Sequence, residues 1–195
     1  MQKPQTADEY WSGCYDKGGD FRLISAGALT KILSFTDPIT PKTCLDIGCG
    51  TGQLTRELAH RGYNCAGMDV ATSAISIARS LTTSKNLAYY HMDIERDSIA
   101  HLPYQPYGLI TCKYVYAFMH KKADFLERVK NLLAQNGTFV VTTPLLQDVP
   151  KEKLAIAVDY DKTLSELKTV FSRVDSYPVQ EATTFIGRGL ITYPD

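Results

Sequence analysis

The sequence predicts an α/β protein: a three-layer α/β/α sandwich on a seven-stranded, mostly parallel sheet with an antiparallel C-terminal edge strand. Three observations predict it. From Thr43 onward, short apolar runs alternate with segments of helical periodicity; repeated βα units of this length place helices on both faces of a parallel sheet. The last two apolar runs lie close together, joined by the polar link Ala182–Thr184, and so read as an antiparallel hairpin. Pro178 stands in the first of them. A residue without a backbone N–H fits an edge strand better than a central one.

The elements follow in chain order. Residues 7–35 read as two helices separated by Lys17-Gly18-Gly19-Asp20, with Leu23, Ile24, Ala28, Ile32 and Leu33 at helical spacing in the second. Asp37-Pro38 and Thr40-Pro41 mark a turn before the core. Thr43–Ile47 is a short buried strand. Gly52–His60 is a helix stopped by Gly62, with His60 and Arg61 in its last turn, where the helix dipole favours basic side chains. Tyr63–Met68 is the second strand. Thr72–Leu81 is a helix for which Thr72 is the expected N-cap. Leu87–His91 and Leu109–Lys113 are the third and fourth strands. Lys122–Leu133 is an amphipathic helix expected to stop at Asn136-Gly137, and Phe139–Thr143 is the fifth strand, ended by Pro144. Leu164–Phe171 is a further helix, and Val174–Glu181 and Phe185–Thr192 are the closing strands.

At 195 residues the chain fits one domain over residues 1–195: a helical cap segment over 1–40 and a core over 43–193. That length buries enough surface to need no disulfide or metal staple. Hydrophobic residues make up 44% and charged residues 22%, near the globular average. The 21 basic and 21 acidic residues cancel; a dedicated nucleic-acid binder usually carries a basic excess, so nucleic acid is not the expected partner. The 5 cysteines form no C-x-x-C pair, which argues for free thiols in a reducing compartment. The first residues hold no apolar signal region, and no run approaches the ~18 apolar residues of a membrane span. The expectation is a cytoplasmic protein that is not membrane-inserted, a monomer or homodimer, with a small-molecule substrate.

Ligands of such sheets bind beyond the carboxyl ends of the strands, near the point where strand order reverses. The first strand runs into Leu45-Asp46-Ile47-Gly48-Cys49-Gly50-Thr51-Gly52. A Gly-rich turn there lets backbone approach a ligand closely and aims helix N–H groups at it. The dinucleotide fingerprint would be G-x-G-x-x-G, but here position 53 is Gln and Asp46 sits inside the motif. A pyrophosphate would be repelled by that carboxylate, whereas a ligand ammonium would be attracted.

This stretch resembles the class I S-adenosylmethionine-dependent methyltransferases, whose sheet is Rossmann-like and whose first motif is an acidic residue followed by G-x-G-x-G. The resemblance extends in order over residues 43–193. It implies S-adenosylmethionine as cofactor and S-adenosylhomocysteine as product, with Asp46, Gly48, Cys49, Gly50 and Gly52 around the cofactor. It implies that Asp69, in Gly67-Met68-Asp69-Val70, holds the ribose hydroxyls with Val70 beside it. It further implies that Asp93, with the Ile94 backbone, meets the adenine amino group. Lys113 and Tyr114 occupy the position that usually touches the methionine part and faces the substrate. Gly108 stands where many family members have an acidic residue, and Gln135-Asn136-Gly137 replaces the usual Pro-Gly-Gly. The absence of N-P-P-Y argues against the subgroup that methylates adenine or glutamine amide nitrogens. Lys113-Tyr114 and Thr143-Pro144 replace the carboxylates of the magnesium-dependent relatives, so no metal is expected.

Tyr10, Trp11, Tyr15 and Phe21 give the N-terminal segment an aromatic character. In many relatives such a helix closes over the cofactor, where a sulfonium can lie against a π face; Trp11 is assigned there. Methyl transfer is an in-line displacement for which the protein mainly positions and desolvates the reactants. A base is required only if the nucleophile must lose a proton; His120 and Tyr114 are the candidates, with Tyr116 either lining the substrate pocket or packing. His91 and His101 have no evident partner. Three other readings remain open: a non-catalytic partner that keeps the cofactor fold, a nucleotide-binding dehydrogenase, and an RNA methyltransferase.

Overall fold

The computed structural model describes residues 6–19, 23–36, 41–179 and 181–191. The elements are α1 (Ala7–Asp16), α2 (Ala26–Ser34), β1 (Thr43–Ile47), α3 (Gln53–His60), β2 (Asn64–Asp69), α4 (Thr72–Ser80) and β3 (Leu87–His91). They continue with β4 (Tyr107–Lys113), α5 (Lys122–Leu132), β5 (Leu133–Thr143), α6 (Tyr160–Lys168), β6 (Phe171–Val179) and β7 (Ala182–Leu190). The seven strands form one sheet in the order β3-β2-β1-β4-β5-β7-β6. β1 to β5 are mutually parallel, and β7 runs antiparallel to both β5 and β6.

Alternation along the strands divides the core in two. Leu45, Ile47, Ile110, Cys112, Phe139, Val141 and Phe185 face one side, with Phe125, Val129 and Leu132 of α5 and Leu167 of α6. Cys44, Cys65, Leu109, Val140 and Ile186 face the other, with residues of α2, α3 and α4. Both faces are therefore covered, which is why the central strands read as continuous apolar runs. Strand order reverses between β1 and β4, and the crevice at their carboxyl ends is the expected ligand site.

The fold class holds, with local differences. The antiparallel strand β7 is inserted one place in from the edge; the edge itself is β6, which carries Pro178. The segment Ala182–Thr184 belongs to β7 and is not a link, because Val179 already pairs with Ala182. α6 begins at Tyr160, where the Asp159 carboxylate accepts the Lys162 N–H, and it ends before Phe171, which opens β6. The Asn136-Gly137 stop is displaced as well. α5 ends at Leu132 and the chain passes straight into β5, whose register against β4 shifts between Tyr107 and Leu109. Asn136 and Gly137 sit in that irregular stretch. Thr72 does not cap α4: it is the first helical residue after Ala71. Asp20, Phe21, Asp37-Pro38, Thr40 and Thr192 lie outside the described residues.

Candidate active site

The turn after β1 is pinned to the end of β2. The amides of Gly48 and Cys49 donate to the Met68 carbonyl at 2.8 and 2.9 Å. The Gly50 amide donates to Asp69 Oδ2 at 2.9 Å. Gly50 has φ +54° and Gly52 φ +81°, a left-handed conformation that a side chain disfavours. A Cβ at Gly50 would lie 2.7 Å from the Tyr15 hydroxyl, and one at Gly52 2.1 Å from that of Tyr89. Tyr89 in turn donates to the Gly52 carbonyl at 3.0 Å. The loop is thus compressed between β2, β3 and α1, with room for backbone only.

Asp46 is 2% exposed. Its two oxygens accept the hydroxyls of Thr55 (2.7 Å) and Thr111 (2.8 Å), from α3 and β4. Burial raises its carboxyl above the ordinary aspartate value, against the pull of those hydroxyls and of the Lys113 charge. Asp69 at the end of β2 accepts from the Gly50 amide and, through Oδ1, from the Ala71 amide at 2.9 Å. Burial raises it too, opposed by the two amides and by His91. Burial also pushes the Cys49 thiol well up, with Asp69 and Asp46 adding to the effect, so Cys49 serves as a neutral side chain.

These groups open onto a cavity of about 1030 Å³, at the upper end of the roughly 300–1,000 Å³ usual for small-molecule sites. Of the residues singled out from the sequence, Asp46, Gly48, Cys49, Gly50, Asp69, Val70, Asp93, Ile94, Lys113, Tyr114, His120 and Trp11 all line it. Gly52 does not: it is the buried N-cap residue of α3 beneath the loop. Tyr116 is also absent from the wall. It is fully buried and donates to Glu166 at 2.8 Å, so of its two roles it takes packing.

The remaining wall comes from the segments after β3 and β4 and from α1. Asp93 Oδ1 accepts the Glu95 amide at 2.9 Å. Glu95 contacts His120 and the Lys121 amide. Tyr114 takes φ +60°, a conformation unusual for a non-glycine residue and often found at functional sites; its amide donates to the Thr142 carbonyl at 2.7 Å. The Lys113 ammonium lies 5.2 Å from the Tyr114 ring. Trp11 packs edge-on against Phe118 with ring centres 5.2 Å apart.

α1 reaches the site by docking on α4. Asp8 accepts the Thr72 amide and hydroxyl, both at 2.9 Å, and the Ser12 hydroxyl accepts the Ser73 amide at 3.2 Å. His91, read from the sequence as unpartnered, lies 3.0 Å from the Val70 carbonyl and 3.5 Å from Asp8. Sequence reasoning missed Asp8, Ser12, Glu95 and Phe118, and had Tyr15 as one of the N-terminal aromatics, where it lines the cavity. Only α1 itself carried a readable signal. Thr6-Ala7-Asp8-Glu9 is a capping box, with both reciprocal bonds formed, at 3.1 and 2.8 Å. Among the described residues, no helix is long and apolar enough to cross a membrane and no group of three or more His, Cys, Asp or Glu could hold a metal ion.

The family profile described as methyltransferase domain matches residues 22–175. The ubiquinone biosynthesis O-methyltransferase of Glaesserella parasuis is 29% identical over 136 residues, which is 66% of this chain and 58% of that protein. The chain thus spans little more than half the length of such curated relatives. Among solved structures, a chain of the complex between the Haloferax volcanii Trm112 methyltransferase activator and its methyltransferase superposes with TM-score 0.73 at 15% identity, covering 95% of this chain and 97% of that one. The plantazolicin methyltransferase BpumL, in complex with a triazolic desmethylPZN analog and SAH, superposes with TM-score 0.69 at 15% identity, covering 94% and 92%. At those identities the structures share the fold. The profile match covers most of the sequence, and on it the chain belongs to the methyltransferase-domain family.

Proposed function

We propose that this chain is an S-adenosylmethionine-dependent methyltransferase acting on a small-molecule or exposed side-chain nucleophile. The observation that carries the reading is the convergence on one cavity of the glycine turn and three carboxylates: Asp46 near the end of β1, Asp69 at the end of β2 and Asp93 just after β3. The donor set suits the cofactor. The side-chain-free loop at Gly48 and Gly50 admits a ligand against backbone. Asp69 is an acceptor for ribose hydroxyls, and Asp93 with the Ile94 backbone for the adenine amino group. Each Asp46 oxygen keeps acceptor capacity beyond its threonine partner, which suits the methionine ammonium, and Lys113 lies at the same end. The carboxylates around the cavity favour a cationic sulfonium over the neutral thioether product.

When bound, S-adenosylmethionine supplies a methyl group activated for in-line displacement. The chain's contribution is placement and exclusion of water. Trp11 and Phe118 form an aromatic wall held in place by α1 docking. His120 and Tyr114, both in the cavity wall, are the polar groups we assign to the acceptor. We further propose a cytoplasmic monomer or homodimer, and the balance of 21 basic against 21 acidic residues weighs against a nucleic-acid substrate.

Calorimetric titration with S-adenosylmethionine, S-adenosylhomocysteine and NAD tests this. Binding of the two sulfur compounds and none of NAD is expected; absence of binding by both sulfur compounds would sink the proposal.

A further inference from the structure

Glu95 joins two segments of the cavity wall. Its Oε1 accepts the Lys121 amide at 2.8 Å, and its Oε2 lies 3.1 Å from Nδ1 of His120. The carboxylate side chain is 17% exposed and the ring 85%, so the buried partner is the fixed one. Burial by itself would raise the Glu95 carboxyl, but the Lys121 amide and the His120 ring hold it below its ordinary value. The neighbouring charges are turned elsewhere. Arg96 faces Asp93 at 3.5 Å, Lys121 Nζ faces Asp124 at 3.9 Å, and Lys122 Nζ donates to the Met119 carbonyl at 3.2 Å.

An ionised carboxylate only accepts hydrogen bonds. The ring nitrogen facing it must carry the proton, and the lone pair then belongs to the other nitrogen. We propose that Glu95 is a positioning residue: it fixes His120, in the cavity wall, as the Nδ1–H tautomer and so leaves Nε2 as the proton acceptor. The proposal rests on the methyl-transfer reading and deepens it, since it assigns the site an acceptor that must lose a proton. In that step the acceptor heteroatom bonds to the methyl carbon as the carbon–sulfur bond breaks. The bonding pair stays on sulfur, and the acceptor's proton passes to Nε2. Glu95 then faces the imidazolium. An ion pair this exposed adds little stability, so its effect lies in orientation.

Long-range proton–nitrogen NMR, recorded at a pH where the ring signals no longer change, reads the tautomer in the full chain, with no ligand required. The native protein is expected to show Nδ1–H at His120. Glu95→Gln keeps a carbonyl oxygen for the Lys121 amide but turns an NH₂ donor toward the ring, so the tautomer is expected to invert to Nε2–H. An unchanged far-ultraviolet spectrum verifies that the variant is folded. A native ring in the Nε2–H form, or a tautomer unaffected by the substitution, overturns the proposal. A correct tautomer in a protein that binds neither sulfur compound would instead overturn the methyl-transfer reading alone.

Discussion

Asp69 shows what one residue contributes here. Its carboxylate ties the Gly50 amide to the start of α4, so it shapes the loop as well as facing the cavity. Asp69→Asn keeps the size but puts a donor where an amide N–H points. Cofactor binding is expected to weaken by roughly 10- to 150-fold, the equivalent of about 1.5–3 kcal/mol for a hydrogen bond to a charged group, as read by calorimetry. Because burial raises this carboxyl, its proton returns early on acidification. Binding by the native protein should therefore decline at a pH above the ordinary aspartate range, and a decline confined to that range or below would contradict the assignment. The positions of Asp46, Asp69 and Asp93 at or just past the carboxyl ends of successive strands were legible in the sequence because strand ends are local. That Asp46 would be held by Thr55 and Thr111 was not, since Thr111 arrives from 65 residues away.

At the scale of elements, α1 and α4 complete each other. The first amides of a helix have no partner inside it, and at α4 no residue of the helix's own caps them. Asp8 and Ser12 of α1 take that place. Thr72 is no cap because it is already the first helical residue, and its hydroxyl donates to Asp8. No residue of α1 is fully buried, so these bonds and the Trp11–Phe118 contact contribute much of its docking. Asp8→Ala is expected to free the helix, at a cost of about 0.5–2 kcal/mol for a lost cap. Trp11, the 1 tryptophan of the chain, should report this as a red shift in emission. Burial tends to raise the Asp8 carboxyl, but the Thr72 amide, the Ser12 and Thr72 hydroxyls and His91 outweigh it and hold the carboxyl below its ordinary value. The sign follows. A depressed carboxyl stabilises docking above its unfolded value, and that stabilisation is lost as pH falls through the folded one. Acid should produce the red shift in the native protein while leaving the emission of Asp8→Ala, already released, little changed.

Across the whole molecule, the sheet and its aromatic core join the N-terminal and C-terminal halves. Phe139 on β5 is fully buried, 6.1 Å from the Phe125 ring of α5 and 6.0 Å from that of Phe171 in β6. Phe139→Ala should cost about 3–5 kcal/mol, measured as a lower urea midpoint with an unchanged slope. A change below ~1 kcal/mol would show that this core is not shared. The alternation of strand and helix, the glycine turn and its acidic residues, and the hairpin at the end were determined by the sequence alone. Each depends on residues within one turn or strand, where periodicity and backbone freedom act directly. Tertiary structure decided the rest. It placed β7 inside β6, capped α4 from α1, joined Glu95 to His120 across 25 residues and gathered the strand ends around one cavity. Those contacts depend on which surfaces meet once both faces of the sheet are covered, and no local pattern encodes that choice.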